Sequence, residues 1–275
     1  MLLKLFRFGF NCYARLFPVR ARESARKLLM TPRLSNKPLR ELNDLPNPEA
    51  SPLASGGMLY SWYGGNKTAV FLHGWEGNYL QFQPLFRKLY TKGWSVHSIA
   101  APGHKGAKES ESHPIKFLDS LQEVAKRLDN IDLLVGYSMG AGVSAALGAD
   151  SGDSTLSLPK KMVLIAPPSS FQNVLQRFCQ FIGLPGSHQQ AFISYVSDYV
   201  KRPVSELDLL VAGQQITAKT LVIHDYADKE IPHDEGHALA KAIPAGECMS
   251  TIGFGHRRVL KADSVIAKIV EFANT

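Results

Sequence analysis

A chain of 275 residues with 45% hydrophobic and 20% charged residues has the balance of an ordinary globular protein and ample length to bury a full core. Its net charge of +7 is unevenly placed: residues 1–40 hold ten Lys and Arg against one acid, Glu23, a net of +9, whereas residues 41–275 hold 21 basic and 23 acidic residues, a net of −2. A nucleic-acid protein would carry its basic patch on the folded body together with a recognisable module, and no such module is found, which sets nucleic acid aside.

Three cysteines, Cys12, Cys179 and Cys248, are odd in number, far apart and without CxxC spacing. That argues against a disulfide framework and a zinc site and points to a reducing compartment, the cytoplasm.

The chain opens with MLLKLFRFGFNCYARLF, in which Lys4, Arg7 and Arg15 interrupt the apolar residues. No uncharged run of membrane-spanning length is present and no cleavage site follows an apolar core. On a helix, Leu3, Phe6, Phe10, Tyr13 and Phe17 line one face, with Lys4, Arg7, Asn11 and Arg15 towards the other. Two uses suit such a helix: peripheral contact with an anionic membrane, or packing of its apolar stripe on the protein's own body or a partner subunit through residues 1–40. The proline-rich stretch from residue 31 to 57 reads as an extended arm. Residues 1–57 are thus expected as a basic helix and arm, and residues 58–275 as the folded domain.

From residue 58 the pattern alternates. Strands are expected at MLYSWY (58–63), TAVFLHG (68–74), WSVHSIA (94–100), IDLLVG (131–136), KMVLIAP (161–167), KTLVIHD (219–225) and ECMSTIG (247–253). Helices are expected at 79–92, after Pro114, at 138–149, near 233–243 and, unbroken, from about Arg257 to Asn274. Several strands are unbroken apolar runs, the mark of strands buried on both faces. The alternation predicts an α/β fold: a mostly parallel central sheet with helices on both faces. Residues 168–204 break the rhythm, with Phe171, Leu175, Phe178 and Ile182, then Phe192, Tyr195, Val196 and Tyr199, at helical spacing. This segment is expected as a small inserted helical cap whose apolar side chains pack together or line an acyl pocket.

The chemistry centres on Gly136-Tyr137-Ser138-Met139-Gly140. A strand that turns abruptly into a helix holds the residue at the turn in a strained conformation and leaves little room two positions to either side, hence the glycines. The turn projects the Ser138 hydroxyl beyond the end of the sheet, where ligands bind in open α/β folds. A serine needs a base to become a nucleophile, and the base needs an orienting group. His256 stands in GFGHRRVL, between a strand and the last helix, and Asp228 in HDYADKEIP, just after a strand.

Four ordered motifs, FLHGWEG, GYSMGAG, HDYADKEIP and GFGHRRVL, resemble those of the α/β-hydrolase fold serine hydrolases, the esterase, lipase and serine-aminopeptidase-like group, over residues 58–275. The resemblance implies a triad of Ser138, Asp228 and His256, and an oxyanion hole formed by the backbone N–H groups of Trp75 and Met139. It prefers Asp228 to Asp225 as the triad acid, because the family pattern has glycine where Asp225 stands and the acid three residues later, before a proline matched by Pro232. Asp225 is then expected as a solvated loop residue, and His73 as a support for the oxyanion loop. AAPGHKGAKES departs from a further family stretch, with Ala100 in place of aspartate and Lys105 in place of glycine, but that stretch is not catalytic.

His233 and His237, at i and i+4 in HDEGH, lack the glutamate of either zinc motif, and a solvated helix face is expected there rather than a metal site. No cofactor motif is found. The expected function is that of a serine esterase acting on a small-molecule ester through an acyl-enzyme. Thioesters and amides suit the same apparatus. The rival from another class is a non-catalytic interaction protein of the same fold, working through its basic N-terminal helix.

Overall fold

Runs of β-branched and leucine residues such as Lys67–Leu72 and Ile131–Tyr137 bury both faces only when helices cover a sheet on both sides, and the computed structural model has this arrangement. It describes residues 1–36, 38, 39, 42, 44–150 and 152–275, apart from the side chain of Ser205. The eight strands are β1 (Glu49–Pro52), β2 (Met58–Trp62), β3 (Lys67–Leu72), β4 (Trp94–Ala100), β5 (Ile131–Tyr137), β6 (Pro159–Ile165), β7 (Lys219–Asp225) and β8 (Gly246–Thr251). They form one sheet in the order β1-β2-β4-β3-β5-β6-β7-β8. β1 with β2 and β2 with β4 are antiparallel, and every later pairing is parallel.

The helices are α1 (Leu2–Leu16), α2 (Pro18–Met30), α3 (Gln83–Tyr90), α4 (Pro114–Arg127), α5 (Met139–Gly148), α6 (Phe171–Ile182), α7 (Gly186–Val200), α8 (Leu209–Gly213), α9 (His233–Ala242), α10 (Gly255–Arg258) and α11 (Asp263–Asn274). By spatial clustering the chain divides into a sheet unit, Pro32–Ser169 with Leu209–Thr275, and a helical unit, Met1–Thr31 with Ser170–Asp208. The second grouping differs from the expected division at residue 57, because the basic segment belongs with the 170–208 insertion.

In the sheet unit alternate residues of each strand enter opposite cores. Phe71, Val135, Val163 and Leu221 pack with Leu85, Phe86 and Leu89 of α3 and Val265, Ile269 and Phe272 of α11. Their neighbours Val70, Leu134, Leu164 and Val222 pack with Phe117, Leu121 and Val124 of α4, Val143 and Leu147 of α5, and Leu239 of α9. The period of two puts about half of each strand on either side. Chain order explains the site: from β3 the chain passes to β4 on one side, then crosses to β5 on the other. The strand order therefore reverses at β3, and open sheets bind ligands beyond the C-terminal strand ends at such a point.

Three elements differ from expectation within this unit, the first being the short helix α8, which no expected helix covers. β1 lies in the segment expected as a plain arm, paired with β2 in the register Ser51↔Leu59. The single helix expected from Arg257 is broken: α10 is followed by a 3₁₀ turn at Val259–Lys261, and α11 begins only after Ala262, whose extended backbone (φ −72°, ψ 124°) interrupts the helical path.

In the helical unit, Pro18 opens α2 at a position where its missing N–H costs nothing. The side chain of Arg7 donates from Nε to the carbonyl of Phe181 at 2.9 Å, and Asn11 from Nδ2 to that of Gly183 at 3.1 Å. Gly183 closes α6 with φ +76°, and a Cβ there would meet the Arg7 backbone oxygen at 2.7 Å, so α1 runs directly over it. From α2, the guanidinium groups of Arg22 and Arg26 lie 4.5 and 4.4 Å from the ring centroids of Tyr195 and Tyr199. The expected apolar stripe of the insertion is thus half correct. Leu175, Ile182, Phe192 and Val196 are buried, whereas Tyr195 and Tyr199 serve as faces for the arginines of α2.

Candidate active site

β5 is buried along nearly its whole length and stops at Tyr137, so the turn into α5 falls on Ser138. The backbone there has φ +52° and ψ −117°, a region that L residues with a Cβ rarely adopt. The flanking glycines have separate reasons. A Cβ on Gly136 would lie 2.6 Å from the Gly140 carbonyl oxygen and the Ser144 hydroxyl, and one on Gly140 would fall well inside contact with the carbonyl oxygens of Leu72 and His73. Backbone cannot give way as a flexible side chain does. Gly140→Ala is therefore expected to cost about 1–3 kcal/mol of stability by overpacking, which urea unfolding of the variant beside the wild type measures.

The groups expected from sequence come together. The Ser138 Oγ lies 3.0 Å from His256 Nε2, and His256 Nδ1 lies 2.6 Å from Asp228 Oδ2. Because Nδ1 faces a carboxylate it carries the hydrogen, and neutral His256 turns the lone pair of Nε2 to the serine. Tyr137 donates its hydroxyl to the His256 carbonyl at 3.1 Å, and its ring lies 5.1 Å from the imidazole.

Asp228 has a fully buried side chain. Oδ1 accepts the N–H groups of Glu230 at 2.8 Å and Ile231 at 2.9 Å. Burial opposes its ionisation, but hydrogen bonds from His224, His256 and the Ile231 backbone more than offset this and hold its carboxyl well below the usual range. His224 was not singled out from the sequence. Its Nε2 lies 3.2 Å from Asp228 Oδ2 and 3.1 Å from the Ile231 carbonyl. Both are acceptors, so Nε2 carries the hydrogen and Asp228 Oδ2 is braced from two sides. Nδ1 of the same ring is buried with no hydrogen-bond partner among the described residues.

The structure corrects the expectation for Asp225. It is fully buried rather than solvated. Oδ1 accepts the N–H groups of Ala227 at 2.9 Å and Gly255 at 2.8 Å, and Oδ2 accepts the Thr251 hydroxyl at 2.7 Å and the Phe254 N–H at 3.1 Å. The carboxylate ends β7 and ties down the loop that delivers His256. Burial raises its pKa, yet these donors outweigh burial and leave it lowered.

The loop after β3 abuts the serine: a Cβ on Gly74 would lie 3.0 Å from Ser138 Cβ. Two buried histidines shape this loop. His73 donates from Nδ1 to the Gly74 carbonyl at 2.8 Å and accepts the Ala101 N–H at Nε2 at 3.1 Å. His104 donates from Nδ1 to the Pro102 carbonyl at 3.0 Å and accepts the Glu76 N–H at 3.1 Å. Burial, with the nearby His104, pushes the pKa of His73 down to about 3, and burial pushes that of His104 down to about 4, so both rings are neutral and keep these roles at ordinary pH. The Gly74 N–H is taken by Gln81 Oε1 at 3.2 Å. Between the engaged N–H groups of Gly74 and Glu76, that of Trp75 has no acceptor among the described residues. Met139 opens α5, so its N–H is one of the four at a helix start without an intrahelical acceptor.

His233 and His237 are not one solvated face. His237 is exposed, but His233 is buried, 2.8 Å from the Ser250 hydroxyl through Nε2, with its ring stacked on Tyr226 at 3.9 Å.

The arrangement holds the Ser138 hydroxyl against a basic nitrogen with an orienting carboxylate behind it, and the residues Trp75 and Met139 stand in the loop after β3 and at the start of α5. Comparison with known proteins adds four findings. The profile of the alpha/beta hydrolase family matches residues 69–246. A Mycoplasma pneumoniae protein provisionally named esterase/lipase 2 is 27% identical over 161 residues, 55% of this chain and 57% of that protein, so the match spans little more than half of the relative. Among solved structures, the Pyrococcus furiosus esterase Pf2001 superposes with a TM-score of 0.68 at 18% identity, covering 89% of this chain and 98% of that one. A thioesterase domain from the curacin biosynthetic pathway superposes at 0.59 with 17% identity, covering 84% of this chain and all of that one. At such identities the structures speak for the fold.

Proposed function

Because the chain belongs to the alpha/beta hydrolase family, we propose that it is a serine hydrolase working through an acyl-enzyme on small or medium apolar carboxylic esters. The observation that carries this reading is the hydrogen-bonded line from Ser138 Oγ through His256 to Asp228.

In this reaction Ser138 Oγ attacks the acyl carbon while its proton passes to His256 Nε2. Asp228 keeps the imidazole in the required tautomer and stabilises the imidazolium. The carbonyl oxygen gains charge and is met by the N–H groups of Trp75 and Met139; loss of one such donor costs about 3–4 kcal/mol of transition-state stabilisation. Collapse breaks the bond to the alkoxide, which takes the proton from His256. Water then repeats the sequence on the acyl-enzyme, with His256 as base, and frees the acid. The proposal includes a cytoplasmic setting, in keeping with free Cys12, Cys179 and Cys248. Among the described residues no helix is long and apolar enough to cross a membrane.

A fluorophosphonate probe should label the wild type and leave Ser138→Ala unlabelled. Folded wild-type protein that resists the probe would overturn the enzymatic reading. A series of p-nitrophenyl esters of increasing acyl length, with a thioester and an anilide beside it, defines the substrate. Faster turnover of the thioester than of every ester would move the assignment to a thioesterase.

A further inference from the structure

The helix α1 carries two apolar stripes, and only one of them is used inside the protein. Phe10, on the face expected from the sequence to contact a membrane or to pack on the protein's own body or a partner subunit, and Ala14 beside it are buried within the helical unit. A second stripe points away from that packing: Leu2, Leu5 and Leu16 are 81%, 67% and 72% exposed, and a Cβ built on Gly9, which lies between them on the helix surface, meets nothing within 4 Å. At 3.6 residues per turn these four positions fall within about 60° of one another. On one flank stand Lys4, Phe8 and Arg15, and Phe8 is itself 68% exposed.

We propose that this second stripe binds the surface of an anionic lipid bilayer, with α1 lying in the plane of the interface. Three observations select that occupant. A helix of 15 residues is about 22 Å long, too short to cross a hydrocarbon core, and its basic residues would not enter one. Residues 1–31 hold seven basic residues against Glu23, a net of +6, and that acid is already paired with Arg26 at 2.8 Å. Two copies of this face would bring like charge against like charge, whereas anionic headgroups complement it. Exposed leucines and a phenylalanine flanked by basic residues are also the pattern by which amphipathic helices bury an apolar face at the headgroup boundary.

Flotation of the full chain with vesicles tests this. Binding to phosphatidylcholine vesicles containing phosphatidylglycerol is expected, with much weaker binding to phosphatidylcholine alone and a decline as salt is raised. Leu5→Glu with Leu16→Glu is expected to weaken binding at least tenfold while leaving the circular dichroism spectrum and Tm unchanged, since both side chains are already in water. Lys4→Gln with Arg15→Gln reads the electrostatic part alone and is expected to lower the preference for phosphatidylglycerol. Absence of flotation with the anionic vesicles overturns the proposal, as does equal flotation of the leucine double variant. So does a concentration-dependent dimer, formed without vesicles and abolished by that variant, which would make the stripe a contact between copies of this chain.

Discussion

Ser138→Ala is expected to lower kcat for a p-nitrophenyl ester by about 10⁶-fold, the loss found when the nucleophile of a serine triad is removed. His256→Ala should fall in the same range, and the double variant should lose little more than either alone, because the two act on one proton and one bond. A clearly additive double variant would show that Ser138 and His256 do not act as a unit. Stability distinguishes the alanine from a glycine at the same position. The backbone at φ +52° and ψ −117° is strained by about 1–3 kcal/mol for a residue with a Cβ, and alanine keeps that Cβ. Glycine releases the strain but gives its unfolded chain about 0.5–1 kcal/mol more conformational entropy to lose. Strain relief wins, so Ser138→Gly should be about 1 kcal/mol more stable than Ser138→Ala by urea unfolding, and equally inactive. An alanine variant as stable as the glycine one would mean that the turn is not strained by its Cβ.

That strain is tolerable because the surroundings leave the turn no alternative. The Ser138 N–H donates to the Ile165 carbonyl at 2.8 Å, extending the β5–β6 pairing one residue past the strand, and its carbonyl accepts the Gly142 N–H at 3.1 Å, starting α5. The sheet and the helix therefore fix the serine from both sides.

Much of this could be read from the sequence, for a physical reason. Strands buried on both faces must be apolar throughout, so β3 to β7 announce themselves as short runs, and the strained turn demands glycines that stand out beside Ser138. What the sequence hides is what depends on long-range partners. β1, with the sequence EASP, is an edge strand whose side chains are mostly exposed; only pairing with β2 makes it a strand, and no periodicity betrays that. α2 buries Ala21, Ala25, Arg26 and Met30, and two alanines among basic residues leave too faint a stripe to read. Asp225 looks like a loop acid because aspartate usually is one. Its burial follows from donors at Thr251, Phe254 and Gly255, some thirty residues away, and a backbone N–H has no signature in a sequence. The same holds for His224, whose role is set by which of its nitrogens faces Asp228.

The two neighbouring aspartates should separate cleanly by what they damage. In Asp228→Asn the amide oxygen is held by the N–H groups of Glu230 and Ile231, so the amide nitrogen takes the place of Oδ2 and faces His256 Nδ1. That nitrogen donates, so His256 must accept there and present N–H to Ser138, the wrong tautomer for a base. A fall in kcat of about 10⁴-fold is expected. His224 keeps the Ile231 carbonyl as acceptor for its Nε2–H but loses its bond to Oδ2, so the second brace on this position is weakened as well. Asp225→Asn leaves the tautomer alone but sets an amide among four donors, so it should lose about 2–4 kcal/mol of stability with a much smaller fall in kcat in the protein that remains folded. The reverse ranking in kcat would make Asp225 the triad acid. Both carboxylates ionise more readily in the folded chain than in the unfolded one. Their contribution is therefore fully present above the ordinary aspartate value of about 3.9 and is lost as pH falls through their lowered folded values. Wild-type stability should begin to decline below about pH 4, and Asp225→Asn, already without one of these ionised groups, should show a shallower decline over the same interval in acid titrations followed by circular dichroism.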